Sequence, residues 1–231
     1  MESSDFQTQL QTEMLWRETE IRGLNNIIVQ LSNDSTKNMV RRATICLLYA
    51  HVEGFVKFSF KLYIDAINSM NLECGKVKSV LTAAVYYVDF MKMNNPDNKN
   101  KIFKRVLTDD SHLHRIYRYE EFFERITDVL NQKIKIEDGY INTEGNVGKE
   151  VLQKLLYQVG LPHTLLDRVI GPLTRLMNKR NNIAHGTDKS LIDNTEFNTF
   201  YNCCLDIMSE LSRVLYSAYQ NRDFLKQANS Q

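Results

Sequence analysis

Between residues 36 and 69 the chain leaves little room for water. Ala43, Ile45, Cys46, Leu47, Leu48, Tyr49 and Ala50 give this stretch almost no polar side. Such a run predicts a helix buried on several faces rather than on one stripe. A helix of that kind must be wrapped by other helices, and the rest of the chain supplies them. Three polar side chains interrupt the run: His51, Glu53 and Lys57. Glu53 and Lys57, four apart in the favourable order, would make an ordinary helical ion pair, and His51 a hydrogen-bonded core histidine. The other reading turns Glu53 or His51 toward a polar site elsewhere in the bundle. Gly54 weakens the helix and suits close approach by a neighbouring one.

The remaining segments read mostly as helices. Leu10, Met14, Ile21, Leu24, Ile28 and Leu31 recur at helical spacing over residues 8–32. Ser32-Asn33-Asp34-Ser35 then forms a turn with N-capping side chains. A third helix is predicted over 76–93, with Val77, Val80, Leu81, Ala84, Val85 and Val88 on its buried stripe, and Asn95-Pro96 stops it. Ile102, Phe103, Val106 and Leu107 suggest a short helix, and Asp109-Asp110-Ser111 can cap another over 112–131. Residues 133–142 switch to period-two alternation around Asp138-Gly139, which predicts a β-hairpin. Helical pattern resumes at 149–159, then over 164–185 in two pieces interrupted at Gly171-Pro172. A last helix, capped by Asp193 or Asn194, runs to about residue 226 on Phe197, Phe200, Leu205, Met208, Leu211, Leu215 and Tyr219. The expectation is an all-α bundle with a small hairpin insertion at 133–142, and one domain over 1–231 with no linker or internal repeat.

Composition narrows the function classes. A formal net charge of +1 provides no global field for nucleic acid or membrane, so a phosphate-binding surface has to be local. No apolar run reaches membrane-spanning length, and the acidic, polar start Met1-Glu2-Ser3-Ser4-Asp5 is unlike a signal peptide. Cys46, Cys74, Cys203 and Cys204 show no metal-ligand spacing and read as reduced thiols of a cytoplasmic protein. The histidines and acids form no ligand pattern either, and no metal or other cofactor is expected.

The candidate site is Arg180-Asn181-Asn182-Ile183-Ala184-His185-Gly186. Leu173, Leu176, Met177 and Ala184 lie on one helical stripe, and Arg180 falls in its middle. A charge there needs compensation, from a core carboxylate, a second chain or a bound anion. Asn181 and His185 stack one turn apart on the flank of that stripe. The plain alternative is that His185-Gly186 simply ends a helix, the imidazole favouring the negative end and the glycine a positive φ. In the predicted 112–131 helix, Arg115, Tyr117, Arg118 and Tyr119 interleave cations with rings, a pattern that suits RNA. Glu120, Glu121 and Glu124 interrupt its field, and a solvated amphipathic helix explains it as well.

Arg180-Asn181 followed by His185 in a helical bundle resembles the motif of the HEPN superfamily, an Arg with a polar neighbour and a His four to six positions after the Arg. Leu47-Leu48-Tyr49-Ala50-His51-Val52-Glu53-Gly54-Phe55-Val56-Lys57, with Trp16-Arg17-Glu18, is similar to the MAE-like stand-alone HEPN proteins. The resemblance implies a metal-independent endoribonuclease of toxin or phage-defence type, acting as a homodimer with both motifs on one cleft. RNA is then the substrate, and an antitoxin or defence-system protein a further partner. His185 would serve as general acid or base on the ribose 2′-OH or the leaving oxygen. Arg180 would stabilise the phosphorane-like transition state, and Asn181 would orient phosphate or imidazole. Glu53, His51 and Asn182 are candidate supporting residues. Two other classes fit the same residues: a catalytically inactive RNA- or nucleotide-binding module that dimerises, and a helical adaptor whose Arg180 is locked in a buried ion pair with Glu53.

Overall fold

The computed structural model describes residues 1–103, 107–108 and 111–227; Val106, Asp109 and Asp110, assigned above to a helix and a cap, lie outside them. Among the described residues the regular secondary structure is helical: α1 (Ser3–Gln30), α2 (Asp34–Ser69), α3 (Ser79–Val85), α4 (Tyr87–Met93), α5 (His112–Glu124), α6 (Ile126–Asn131), α7 (Lys149–Gln158), α8 (Asp167–Ala184) and α9 (Asn194–Gln220). The all-α expectation holds. The chain divides into two compact units, one of residues 1–66 and 141–223, the other of residues 67–140 and 224–231.

The first unit is built around α2. Ile45, Leu48, Tyr49, Val52, Phe55, Val56 and Phe60 are all at most 1% exposed, and each such side chain removed from water contributes about 1.5–3 kcal/mol. Past its first turn, what α2 leaves exposed within this unit is a single line, Met39, Ala43, Leu47, Ala50, Lys57 and Lys61. The long helix α9 packs against both α1 and α8, and α7 packs on α8. Phe6 of α1 stacks on Tyr219 of α9 with ring centroids 4.5 Å apart, while Cys204 of α9 reaches the Leu48 carbonyl of α2 at 3.4 Å. The caps are those the sequence offers. Asn33 Oδ1 accepts from Thr36 N at 2.9 Å, and Asp193 Oδ1 from Glu196 N at 2.8 Å.

Gly171-Pro172 does not divide the 164–185 segment: α8 is continuous with Pro172 inside it. The proline sits in the second turn, where its missing N–H removes one bond only. At the other end α9 stops at Gln220, short of residue 226, and the chain turns away.

In the second unit two predicted helices are each split in two. The 76–93 segment breaks at Tyr86 (φ −96°, ψ 13°) into α3 and α4. Tyr86 is buried there, with its hydroxyl donating to the Val129 carbonyl at 3.0 Å. Of the stripe expected in this segment, Val77 and Leu81 are buried but Val88 is 52% exposed. The 112–131 segment breaks at Arg125 (φ −98°, ψ −1°) into α5 and α6. Of the predicted capping triplet, Ser111 supplies the α5 cap, accepting from His114 N at 3.4 Å.

The 133–142 hairpin is not formed. The alternation is real, with Ile134 and Ile136 buried and Lys133, Lys135 and Glu137 exposed, but no second strand pairs with it. The end of α2 takes that place. Ile134 N donates to the Leu72 carbonyl at 2.7 Å, and Asn68 holds both backbone groups of Ile136 at 2.9 Å. A backbone already satisfied this way has no need of a partner strand. Among the described residues pairing is limited to single antiparallel bridges, Glu73 with Lys133 and Val77 with Leu225.

Candidate functional site

Arg180 lies four residues before the end of α8, on the face that meets α2. Its guanidinium carbon is 4.1 Å from the centre of the Tyr49 ring, within cation–π range. Its Nη2 is 3.7 Å from Glu53 Oε2, and both side chains are 24% exposed. That separation is within ion-pair range yet longer than a hydrogen bond. Glu53 therefore offsets the charge without capturing the guanidinium edge. Among the described ion pairs Glu53 is joined to Arg180 and not to Lys57.

A loop completes the wall. The Tyr49 hydroxyl donates to Asn146 Oδ1 at 2.9 Å and lies 3.3 Å from the Val147 carbonyl. The Thr143 hydroxyl is 3.5 Å from Glu53 Oε1. Lys154 of α7 ties the same loop down through the Asn142 carbonyl at 3.0 Å and the Glu144 carboxylate. Gly148 closes it. A Cβ at this position would stand 3.1 Å from the sulfur of Met177, one turn before Arg180 on α8. Burial, with the Glu53 charge adding to it and Arg180 opposing, pushes the Tyr49 phenol up to about 12. The phenol thus stays a protonated donor at neutral pH. Burial also pushes the Cys46 thiol up, against the pull of Arg180 and Arg42.

His185 closes α8 in a different direction. Its backbone N–H bonds to the Asn181 carbonyl at 2.9 Å, and Gly186 follows at φ +71°. The backbone thus makes the Gly-ended helix stop that the sequence allows, while the imidazole is exposed. Five residues apart, Arg180 and His185 diverge by about 140° around the axis. The polypeptide after Gly186 is tied down firmly. Lys179 Nζ lies 2.8 Å from Asp188 and 2.7 Å from Glu196. Arg42 of α2 donates to the backbone carbonyls of Ser190, at 3.1 Å, and Asp188. The Lys179 ammonium, helped by hydrogen bonds from Ser190, holds the Asp188 carboxyl well below the usual carboxylate range. Asn182 contributes its carbonyl, which accepts from Thr187 Oγ1 and Asp188 N at 3.1 Å each. Asn181 is partly exposed and Asn182 exposed.

His51 faces α1. Its Nδ1 is 3.5 Å from Arg17 Nη1, its Nε2 is 3.2 Å from Glu20 Oε2, and its ring meets that of Trp16 edge-on at 5.6 Å. Burial, with Arg17 assisting and Glu20 opposing, lowers its pKa. The four aromatic and basic candidates on α5 belong to the second unit. Arg118 is 3% exposed, with Nε donating to the Met93 carbonyl at 2.6 Å and Nη1 to the Asn98 carbonyl at 3.1 Å. Tyr117 is bonded to Glu121 at 2.7 Å, and Arg115 and Tyr119 are exposed.

The structure therefore gathers Arg180 and Glu53, and adds Tyr49, Thr143 and Asn146, which sequence reasoning passed over. Tyr49 reads as core because it sits in the apolar run, and the loop contacts depend on tertiary structure alone. Among the described residues no group of three His, Cys, Asp or Glu side chains is placed to hold a metal ion, and no helix is long and apolar enough to cross a membrane. A family model described as HEPN_MAE_28990/-like HEPN matches residues 6–224. No curated protein and no solved structure matches the chain at a significant level.

Proposed function

The chain belongs to this HEPN family, and from that premise we propose that it is a metal-independent endoribonuclease of the toxin or phage-defence type. The substrate's own ribose 2′-OH is the nucleophile. It attacks the adjacent phosphorus, the 5′-oxygen leaves, and the products carry 2′,3′-cyclic phosphate and 5′-hydroxyl ends. His185 transfers the proton, as base to the 2′-OH or as acid to the leaving oxygen. Arg180 meets the charge that grows on the phosphorane oxygens, and Asn181 orients the phosphate beside it.

One observation carries this reading. Arg180 is held on the ring of Tyr49 with Glu53 no closer than 3.7 Å, so the carboxylate offsets its charge in part without taking its donors at hydrogen-bonding distance. Arg180 and His185 diverge by about 140° on their own helix; on this reading a two-fold homodimer brings the partner copy's motif to the same cleft and supplies the second acid–base group. The test is cleavage of an end-labelled structured RNA in excess EDTA by wild type, Arg180→Ala and His185→Ala proteins at matched folding and oligomeric state. Cleavage by wild type alone, with cyclic phosphate ends, is expected; equal cleavage by the His185 variant overturns the assignment.

The ordinary Gly-ended helix stop that His185 makes with Gly186 favours a second reading, a dimerising RNA- or nucleotide-binding module without catalysis. That module would bind RNA through Arg180 and leave every substrate intact in the same assay.

A further inference from the structure

Two elements of the first unit, α2 and the 142–148 loop, converge on the Arg180 guanidinium, and neither belongs to the Arg/His motif. Tyr49 presents its ring face from α2 at 4.1 Å. Its hydroxyl is held by Asn146 at 2.9 Å, in the loop that Lys154 and Gly148 fix against α7 and α8. Glu53 stands to the side, with Thr143 of the same loop at 3.5 Å. An arginine side chain has four rotatable bonds and no intrinsic reason to keep one direction. A ring packed against the guanidinium restricts that freedom, and a guanidinium lying on a ring keeps the N–H donors at its edge available to a ligand.

We propose that Tyr49 is the positioning residue of this site: its ring orients the Arg180 guanidinium for in-plane, two-pronged contact with a phosphate, and the Asn146 bond to its hydroxyl fixes the tilt of that ring. Tyr49 touches no reacting atom. Its assignment to the phosphate of RNA rests on the ribonuclease reading, whereas its hold on Arg180 does not. Within the proposed reaction the device matters because phosphoryl chemistry of this kind depends on donors already aimed at the transition-state oxygens. A guanidinium free to swing would still attract phosphate, but it would meet the phosphorane in many wrong orientations.

The experiment observes Arg180 directly and cleavage separately. Arginine Nε–Hε resonances of the intact protein are recorded by NMR, with the Arg180 signal assigned by its loss in Arg180→Lys. They are followed in wild type, Tyr49→Phe, Tyr49→Met and Asn146→Ala, alone and with inorganic phosphate. The ring should shift the Arg180 signal upfield and keep it rigid in wild type. In Tyr49→Met the signal should move to the position of a mobile arginine, and in Tyr49→Phe and Asn146→Ala, which keep the ring but lose the bond to its hydroxyl, part of the way. Asn146→Ala leaves the core intact, so it carries the test if Tyr49→Met fails to fold. Single-turnover cleavage of RNA should fall by about 10- to 100-fold in Tyr49→Met, with RNA affinity changed far less and Tyr49→Phe restoring most of the rate. An Arg180 signal with the same shift and mobility in every variant overturns the positioning role whatever the RNA assay gives. Loss of ring shift and of the phosphate response in Tyr49→Met, with no RNA cut even by wild type, upholds the positioning role and overturns the ribonuclease reading alone.

Discussion

Two arginines meet α2 within two turns of one another, and their surroundings differ in one instructive way. Arg17 of α1 lies over the Trp16 ring at 4.4 Å, and Arg180 of α8 over the Tyr49 ring at 4.1 Å. Each has a carboxylate beside it. Arg17 is bound to Glu13 at 2.5 Å, with 11% of its side chain exposed, and its guanidinium fills the space that the absent side chain of Gly54 leaves. Arg180 is 3.7 Å from Glu53 and about twice as exposed. Arg17 is thus consumed by the fold, while Arg180 is oriented but unspent. A side-chain type therefore does not mark a site; the degree to which its donors are already committed does.

This contrast is open to direct attack by mutation. The largest stability effect should come from Arg17→Ala, which empties a packed position and removes one partner each from Glu13 and His51, at about 2–4 kcal/mol in urea unfolding. Arg180→Ala should cost roughly 1 kcal/mol or less while lowering RNA cleavage by at least about 100-fold. If the two stabilities change in the opposite order, the contrast between the two arginines fails.

A smaller effect lies in pH. The His51 pKa is lower in the folded protein than its ordinary value, so between those two values the unfolded chain binds the proton and the native state does not. Stability is therefore full above about pH 6.5 and declines as pH falls from there toward the folded value. The urea midpoint should drop over that range in wild type, and His51→Gln should flatten the dependence. Trp16, the only tryptophan, lies against the imidazole, so its fluorescence should report the same titration. Smallest is Asp188→Asn, which weakens the hold of Lys179 on the segment after His185 and should lower stability by roughly 0.5–1 kcal/mol. Its cleavage rate should fall only a few-fold if that segment merely steadies the helix end.

Much of this was legible in the chain. The nearly continuous apolar run of residues 43–50, broken only by Thr44, places α2 at the centre, and the helical period exposes Arg180 as a charge out of place. Glu53 is visible as a possible counter-charge for the same reason. His51 and Glu53, two residues apart, diverge by about 200° on a helix, so only one of them can face α8, and periodicity does not say which. The hairpin expectation failed because alternation reports a half-buried extended segment and not what pairs with it. Asn68 and Leu72 supply those bonds here. The breaks at Tyr86 and Arg125 were hidden because helical spacing runs on across each of them. Tyr49 was hidden by its company, since a tyrosine among leucines looks like core until its neighbours from the 143–147 loop are known.

The exposed position of His185 has a consequence for inheritance. Its imidazole hangs outside the packed core, so almost any replacement leaves the scaffold intact. A lineage harmed by an RNA-cutting activity would need one codon change to silence it, and would keep a folded chain that still presents Arg180. On the ribonuclease reading, inactive forms of this architecture should therefore arise easily, differing from active ones at one side chain on the surface.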